Sequence, residues 1–200
     1  ALDLDERLVG LYGMTAARPD KGLTHVRMGE ILISAGVRVL QYRDKDADAR
    51  QALESCRILA EKCRAAGVWF IVNDRPDIAL LSGADGVHLG QEDLPIKEVR
   101  DMASRYLGAS LRRFVIGVST HNIEQVEQAV REGADYIGVG PIFQTRTKPN
   151  INDSVVGTAL FAEAKRRFDI PMVCIGGICP TNVSVLLDAG ARCLAIIDAV

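Results

Sequence analysis

Residues 39–45, with the sequence VLQYRDK, begin with apolar side chains and end with an amide and two cations. Because successive side chains of a β-strand alternate between its two faces, Gln41, Arg43 and Lys45 are predicted to point to the same side. Such a set suits phosphate oxygens, since Arg offers a planar fork of donors and Lys a point charge. The alternative is a strand that ends in a solvated loop, where these side chains have no common function.

Polar residues that follow other apolar runs favour the phosphate interpretation. They are Asn73, Asp74, Asp93, Ser119, Thr145, Thr147 and Lys148. Asp74 and Asp93 offer oxygen ligands of the kind that Mg²⁺ prefers beside substrate phosphates. For Asp93, a cap on the helix that begins near Pro95 is the alternative role. Cations together with a carboxylate-bound Mg²⁺ predict a pyrophosphate site.

The apolar runs that carry these residues alternate with amphipathic stretches. Strands are predicted at residues 8–14, 38–43, 69–73, 86–89, 114–119, 136–140, 172–176 and 193–197. Helices are predicted at residues 24–35, 47–66, 76–82, 95–107, 122–132, 156–168 and 181–189, several of them followed by a glycine suited to a C-terminal cap. Eight strands that alternate with helices indicate parallel pairing, because each crossover returns the chain to the same end of the sheet.

This alternation predicts an α/β fold, a (β/α)₈ TIM barrel that forms a single domain over residues 1–200. The chain stops at Val200, directly after the eighth predicted strand, so the eighth helix is expected to be absent from this chain. Functional residues of such barrels gather at the C-terminal ends of the strands. The candidate residues lie at or just beyond these ends and are therefore expected to converge on one rim.

A second phosphate site is predicted on the same rim. Gly177 follows the seventh strand, and Ile197 and Asp198 end the eighth. Loops at these places often bind phosphate through backbone N–H groups. Two phosphate sites suggest two phosphorylated substrates or one bisphosphate. No Ser–His or Cys–His arrangement indicates a nucleophile, so stabilisation of a leaving pyrophosphate is the favoured chemistry.

Composition argues against several other classes of function. A formal net charge of -2 gives no reason to expect nucleic acid or an anionic membrane as a partner. The sequence contains no run of about 18 uncharged apolar residues, so no transmembrane helix is predicted. The five cysteines fit no zinc or redox spacing, and the three histidines lie far apart. A cytoplasmic protein with reduced cysteines is expected, and a monomer and a homo-oligomer both stay open.

Seven motifs resemble those of the thiamine-phosphate synthase family, from Leu11 to the end of the chain. They are QYRDK at 41–45, VNDR at 72–75, GVHLGQEDLP at 86–95, GVSTHN at 117–122, ADYIGVGPIF at 134–143, TRTK at 145–148 and IGGI at 175–178. The resemblance implies a (β/α)₈ barrel that joins a pyrimidine pyrophosphate to a thiazole phosphate and yields thiamine phosphate and pyrophosphate. It also implies a dissociative mechanism, in which pyrophosphate leaves before the thiazole nitrogen captures the pyrimidine.

The same resemblance implies a role for each candidate residue. The pyrimidine pyrophosphate would be held by Gln41, Arg43, Lys45, Asn73, Ser119 and Lys148, of which Arg43, Lys45 and Lys148 are the predicted catalytic residues. Asp74 and Asp93 would bind Mg²⁺. The thiazole phosphate would contact Thr145, Thr147, Gly177, Ile197 and Asp198. Asp198 stands where the family usually has Ser, and its carboxylate would repel a phosphate unless the side chain points away and the backbone N–H is used.

Two other functions stay open. A thiazole tautomerase-like barrel is similar, but it departs at the pyrophosphate and Mg²⁺ positions and uses an acid/base His near the sixth strand. Here that strand ends in GVGPIF, without His. A non-catalytic barrel that binds a phosphorylated ligand would need no carboxylates for Mg²⁺ and would bind its ligand without turnover.

Overall fold

Eight parallel strands close into a barrel in the computed structural model, which describes residues 4–108, 114–144 and 155–197. The strands are β1 (Gly10–Met14), β2 (Val39–Tyr42), β3 (Trp69–Asn73), β4 (Gly86–Leu89), β5 (Val115–Thr120), β6 (Tyr136–Val139), β7 (Met172–Cys174) and β8 (Cys193–Ile196). Each strand pairs in parallel with its neighbour in the chain, and β1 pairs with β8 to close the sheet. The predicted α/β TIM-barrel fold is confirmed.

Among the described residues, seven helices connect successive strands on the outside of the barrel, and one short helix precedes β1. They are α1 (Leu4–Arg7), α2 (His25–Ser34), α3 (Ala49–Ala66), α4 (Pro76–Ser82), α5 (Ile96–Leu107), α6 (Ile123–Glu132), α7 (Gly157–Arg167) and α8 (Val183–Asp188). Sequence patterns predict neither α1 nor the 3₁₀ turn at Pro19–Lys21, because both are too short to show a helical period. The last described residue after β8 is Ile197, so the prediction about an eighth helix beyond this strand falls outside the described residues.

Side-chain caps explain where several helices begin. Thr24, Asp48 and Asn122 each accept a hydrogen bond from a backbone N–H three residues later, at 3.1, 2.9 and 2.8 Å. Each cap satisfies a donor that the first helical turn leaves without an intrahelical partner. At the other ends, Gly67 and Gly133 adopt left-handed φ angles of 69° and 83°, as the glycine pattern predicts.

The strands bury side chains on both faces, which is why they read as continuous apolar runs. Outward side chains such as Leu40 and Phe70 form one core with the helices, including Leu59 of α3. Inward side chains form a second buried cluster that includes Val39, Ile71, Val115 and Val173, with Leu8 packed against it just before β1 begins. This inner cluster fills the barrel below the strand ends.

Two glycines in the inner wall make room for large polar side chains. A Cβ atom at Gly117 would overlap the ring of Tyr136, and one at Gly138 would lie 3.2 Å from His88 Cε1. Protein interiors are close-packed, so a bulky inward ring requires a small residue on the facing strand. Tyr136 and His88 can therefore extend into the interior of the barrel.

Replacing Gly117 with Ala is expected to destabilise the fold, because the added methyl group overlaps a buried ring. Overpacking of this kind costs about 1–3 kcal/mol of unfolding free energy, measurable by urea denaturation. Gly138→Ala is the matched control with a smaller expected cost, since its Cβ approaches only the edge of His88. A Gly117→Ala variant as stable as Gly138→Ala would contradict this account of the inner wall.

Candidate active site

The strand ends surround a cavity of about 380 Å³ at the C-terminal end of the barrel. Eight of the predicted site residues line it, namely Gln41, Arg43, Lys45, Asn73, Asp74, Asp93, Ser119 and Ile197. They come from β2, β3, β4, β5 and β8 or from the loops that follow these strands. Because all strands run in the same direction, residues far apart in the sequence meet at this one rim.

The remaining predicted residues are placed differently. Gly176, not Gly177, belongs to the cavity lining in the described part of the chain. Gly177 has a φ of 63°, and a Cβ there would lie 3.0 Å from the Phe143 carbonyl carbon, so it packs against the loop after β6. Four further predicted residues lie outside the described residues, and their roles stay predictions: Thr145, Thr147, Lys148 and Asp198.

The loop that carries Arg43 and Lys45 is held by Asp44. Asp44 Oδ1 accepts hydrogen bonds from the backbone N–H groups of Asp46 and Ala47, at 3.0 and 3.1 Å. Its Oδ2 atom lies 3.0 Å from His25 Nε2. These contacts turn the chain directly after β2 and restrict the loop from which Arg43 and Lys45 enter the cavity lining.

His25 connects this loop to β1 through Thr15. The Thr15 hydroxyl accepts a hydrogen bond from Arg43 N–H at 3.2 Å and lies 2.9 Å from His25 Nδ1. Burial lowers the pKa of His25, although the Asp44 carboxylate opposes the shift. The neutral ring donates from Nε2 to Asp44 and accepts the Thr15 hydroxyl proton at Nδ1. The backbone beside the Arg43 side chain is thereby fixed to the barrel wall.

Asp74 and Asp93 form a carboxylate pair at the rim, beside these cations. Asp74 follows β3 with a φ of 61°, in the left-handed region that non-glycine residues seldom adopt. Its N–H donates to the His88 carbonyl at 2.8 Å, which fixes the turn. Asp93 Oδ2 accepts from the Gly90 N–H at 2.6 Å. Lys45 Nζ lies 3.7 Å from Asp74 Oδ2, so the pair faces a cation across the rim.

Burial raises the pKa of Asp74 to about 6, and the adjacent Asp93 carboxylate adds to the shift. The charges of Lys45 and Arg43 oppose it without cancelling it. Between the pKa of an ordinary carboxyl group and about 6, the folded protein binds more protons than the unfolded chain. This contribution to the free energy of unfolding is therefore present at low pH and is lost as pH rises through that window.

This carboxylate pair suits Mg²⁺ in ligand type and in ligand number. Two adjacent carboxylates are costly to ionise together, and a divalent cation between them removes that cost. Within the described ranges, no group of three or more His, Cys, Asp and Glu is placed to hold a metal ion. A site with two carboxylates leaves its other coordination positions to phosphate oxygens and water, as is usual for Mg²⁺.

A row of neutral side chains lines the cavity below the rim. We call it the floor chain; it consists of Gln41, Tyr12, Tyr136, His88 and Ser119 in that order. Its successive hydrogen bonds measure 2.8, 2.9, 3.0 and 2.9 Å. The cavity therefore has charged groups at its rim and uncharged hydrogen-bonding groups at its base, an arrangement that suits a polar ring attached to a phosphate group.

Sequence reasoning identifies only the two ends of the floor chain, Gln41 and Ser119. Tyr12, His88 and Tyr136 lie within strands, whereas functional residues of such barrels are expected at the strand ends. Alternation along the strands carries the signal that would have found His88. It lies between Val87 and Leu89, both of which pack outward, so its imidazole must point into the barrel.

A family profile described as thiamine monophosphate synthase (TMP-TENI) matches residues 11–200. The chain belongs to the thiamine monophosphate synthase family. Thiamine-phosphate synthase of Pelotomaculum thermopropionicum is 42% identical over 187 residues, which cover 94% of this chain and 82% of that protein. That of Methanocella arvoryzae is 44% identical over 190 residues, or 95% of this chain and 86% of the relative. The predicted family resemblance is confirmed.

One solved structure agrees with this membership of the thiamine monophosphate synthase family, and another shares its fold. Thiamine phosphate pyrophosphorylase from Pyrococcus furiosus superposes with a TM-score of 0.86 at 31% identity, covering 99% of this chain and 89% of that chain. An N-acetylmannosamine-6-phosphate 2-epimerase from Clostridium perfringens superposes with a TM-score of 0.67 at 14% identity, covering 97% and 89% of the two chains, and shows the fold alone.

No helix among the described residues combines the length and the apolarity needed to cross a membrane.

Removing the Asp44 side chain is expected to weaken pyrophosphate binding. Asp44→Ala frees the loop after β2, so Arg43 and Lys45 must be ordered when the anion binds. Ordering two long side chains is expected to cost about tenfold in affinity for inorganic pyrophosphate with Mg²⁺, measured by calorimetry. Asp46→Ala, which removes an exposed carboxylate from the same loop, is the matched control. Equal affinities in the two variants would contradict the role given to Asp44.

Neutralising Asp93 is expected to lower the pKa of Asp74. Asp93→Asn removes the neighbouring charge but leaves the burial, so the Asp74 pKa should fall below about 6 and stay above its ordinary value. Carbon-detected NMR titration of the side-chain carboxyl groups measures this shift. Glu92→Gln is the control, because Glu92 also lines the cavity but does not contribute to the Asp74 shift. An unchanged Asp74 pKa in Asp93→Asn would show that the two carboxylates do not interact.

Proposed function

We propose that this chain couples hydroxymethylpyrimidine pyrophosphate to thiazole phosphate, giving thiamine phosphate and pyrophosphate. The observation that carries the proposal is the division of one cavity into two parts. Arg43, Lys45, Asp74 and Asp93 lie at the charged rim, and the floor chain is neutral. The names of the curated relatives supply the activity.

The pyrophosphate group binds at the rim in this proposal. Gln41 lies within β2, whereas Arg43 and Lys45 lie on the loop directly after the last residue of this strand, so a span along the cavity separates the cations from Gln41. That span suits a substrate whose ring contacts Gln41 and Ser119 while its pyrophosphate reaches the cations. Asn73 lines the cavity on the adjacent strand and can donate a hydrogen bond to a phosphate oxygen.

We assign Mg²⁺ to Asp74 and Asp93. When bound there, the ion would neutralise charge that develops on the leaving pyrophosphate. Lys45 Nζ lies 3.7 Å from Asp74 Oδ2, so a cation adjoins the carboxylate pair. Lys45 and the guanidinium of Arg43 would stabilise negative charge on the phosphate oxygens of the same group. Lys148 adds a third cation by resemblance.

The chemistry in this proposal is a dissociative substitution at the pyrimidine methylene carbon. The carbon–oxygen bond to pyrophosphate breaks, and its electron pair leaves with the oxygen. The amino group of the pyrimidine stabilises the methylene cation, and the lone pair of the thiazole nitrogen then forms the new carbon–nitrogen bond. Neither bond change requires a protein nucleophile, so the work of the chain is to bind, orient and neutralise charge.

The thiazole phosphate is assigned to the part of the rim between β6 and β8. Ile197 and Gly176 line the cavity there, and Ile197 follows β8 directly. Thr145, Thr147, Gly177 and Asp198 are assigned to the same phosphate by the motifs alone.

We further propose that the protein acts in the cytoplasm, where its five free cysteines remain reduced.

A thiazole tautomerase-like reaction remains the second candidate because of His121. Its imidazole lines the cavity, and its Nδ1 contacts the carbonyl of Gly140, directly after β6. A ring fixed in this way could exchange protons with a ligand at Nε2. That reaction requires neither a carboxylate pair nor cations at the rim, so the rim favours the coupling reaction.

Incubation with both phosphorylated substrates and Mg²⁺ is expected to yield thiamine phosphate and pyrophosphate in equal amounts. Lys45→Ala should reduce kcat/KM by about a hundredfold or more, because an electrostatic contact to the leaving group is lost. Chromatography of the products measures both results. Activity should also disappear with EDTA and return when Mg²⁺ is added.

The control is Lys97→Ala, which removes an exposed lysine paired with Asp101 on α5 and should leave kcat/KM unchanged. Wild-type activity in Lys45→Ala would overturn the pyrophosphate assignment. Indifference to EDTA would remove Asp74 and Asp93 from their metal role. Isomerisation of a thiazole without any coupling would favour the tautomerase-like reaction.

A further inference from the structure

The floor chain joins two groups that face the ligand through three buried side chains. Gln41 Nε2 donates to the Tyr12 hydroxyl at 2.8 Å, and the Tyr12 and Tyr136 hydroxyl oxygens are 2.9 Å apart. The Tyr136 hydroxyl lies 3.0 Å from His88 Nδ1, and His88 Nε2 lies 2.9 Å from Ser119 Oγ. The exposed fractions of Tyr12 and Tyr136 are only 2% and 1%, so water has little access to these links.

Each of the three inner side chains, Tyr12, Tyr136 and His88, has one proton to donate. Burial raises the pKa of both Tyr12 and Tyr136 well above that of an ordinary phenol, so both hydroxyls remain protonated. A buried hydroxyl proton without an acceptor is costly, so each hydroxyl must donate along the chain in one direction or the other. In its neutral form, His88 donates from one ring nitrogen and accepts at the other.

The orientation of Gln41 sets the direction of every later hydrogen bond. Because Gln41 Nε2 donates to Tyr12, the Tyr12 proton must go to the oxygen of Tyr136. Tyr136 then donates to His88 Nδ1, which leaves the His88 proton on Nε2, directed at Ser119 Oγ. The Ser119 hydroxyl proton is thereby released to donate into the cavity.

Gln41 has an acceptor left over at the opposite end. Within the described residues, Gln41 Oε1 is buried and has no hydrogen-bond partner, and only 1% of the residue is exposed. Gln41 and Ser119 both line the cavity. In this orientation the ligand is offered an acceptor by Gln41 and a donor by Ser119.

Reversing the direction of the hydrogen bonds in the floor chain exchanges donor and acceptor at both of its ends, Gln41 and Ser119. If the Gln41 amide turned over, its Oε1 would accept from Tyr12 and its Nε2 would face the ligand. Each inner hydrogen bond would then reverse, the His88 proton would move to Nδ1, and Ser119 would accept from the ligand. In both orientations one end donates while the other accepts.

We infer that Tyr12, Tyr136 and His88 are positioning residues that couple Gln41 to Ser119, so that the cavity selects a ring with one donor and one acceptor. The inference rests on the proposed function and deepens it. An aminopyrimidine has N–H donors on its amino group and lone pairs on its ring nitrogens. A ring that offers acceptors to both Gln41 and Ser119 would face a second acceptor at one of these two residues. This holds for either orientation of the floor chain.

The test compares two ligands by calorimetry with Mg²⁺ and without the thiazole phosphate. One is the aminopyrimidine pyrophosphate, and the other is an analogue in which a methoxy group replaces the amino group, so that it offers only acceptors. Wild type should prefer the amino ligand on the order of tenfold or more. In Tyr136→Phe the hydrogen-bond link between Gln41 and Ser119 is broken, so the Gln41 amide can turn over without any change at Ser119. The preference for the amino ligand over the methoxy ligand should therefore fall towards the value that the size of the two groups sets.

A merely structural role for Tyr136 would lower the affinity for both ligands equally and leave their ratio unchanged, which would overturn the inference. Tyr12→Phe breaks the chain at a different link and should change the ratio in the same way. Thr120→Val is the matched control, because it removes a buried hydrogen bond to Gly138 one residue from Ser119, and its ratio should equal that of wild type.

The protonation of His88 gives a second readout on the wild-type protein. Nitrogen NMR of the complex with the amino ligand should show one neutral tautomer of His88, with its proton on Nε2 in the orientation described here or on Nδ1 in the reversed one; a doubly protonated ring or a mixture of both tautomers would overturn the inference. This measurement decides the matter if neither tyrosine variant folds. Because no readout requires turnover, a wild type that shows the expected ratio and protonation but forms no thiamine phosphate would contradict the proposed function and leave the coupling supported.

Discussion

Parallel pairing of eight strands around a closed barrel determines which side chains share the cavity. Since all strands point the same way, their C-terminal ends form one rim, and inward residues from distant parts of the chain become neighbours. Gln41, Asn73 and Ser119 are separated by tens of residues yet line the same space. The site therefore depends on barrel closure as much as on any local motif.

The charged and the uncharged side chains of the cavity lie at different levels along the barrel axis. The base of the cavity contains the neutral floor chain, where an unpaired charge would be costly to bury. Arg43, Lys45, Asp74 and Asp93 lie at the rim, where loops and backbone N–H groups hold them. This distribution suits the proposed reaction, in which the open end stabilises the departing pyrophosphate and the base orients a polar ring.

The sequence predicts the strands and the rim residues because both follow from local patterns. Alternation identifies the inward side of β2, and the polar types at Gln41 and Asp74 mark strand ends. The contacts that hold these residues could not be predicted in the same way. The pair of His25 with Asp44 joins a helix to a loop, and the link between Tyr136 and His88 joins two strands. Both depend on which side chains meet in the folded barrel, and spacing along the chain does not indicate this. The cavity lining shows the same limit, since it includes Gly176, which no motif marks as a site residue.

The proposed function requires that the carboxylate pair and the cations form one site for Mg²⁺ and pyrophosphate. Calorimetry of inorganic pyrophosphate binding, with and without Mg²⁺, in wild type and in Asp74→Asn tests it most directly, because Mg²⁺–pyrophosphate complexation in solution is the same for both proteins. Mg²⁺ is expected to tighten pyrophosphate binding to wild type at least about tenfold more than to Asp74→Asn, because the two ligands would be coupled at one site. An equal effect of Mg²⁺ in the two proteins would contradict it.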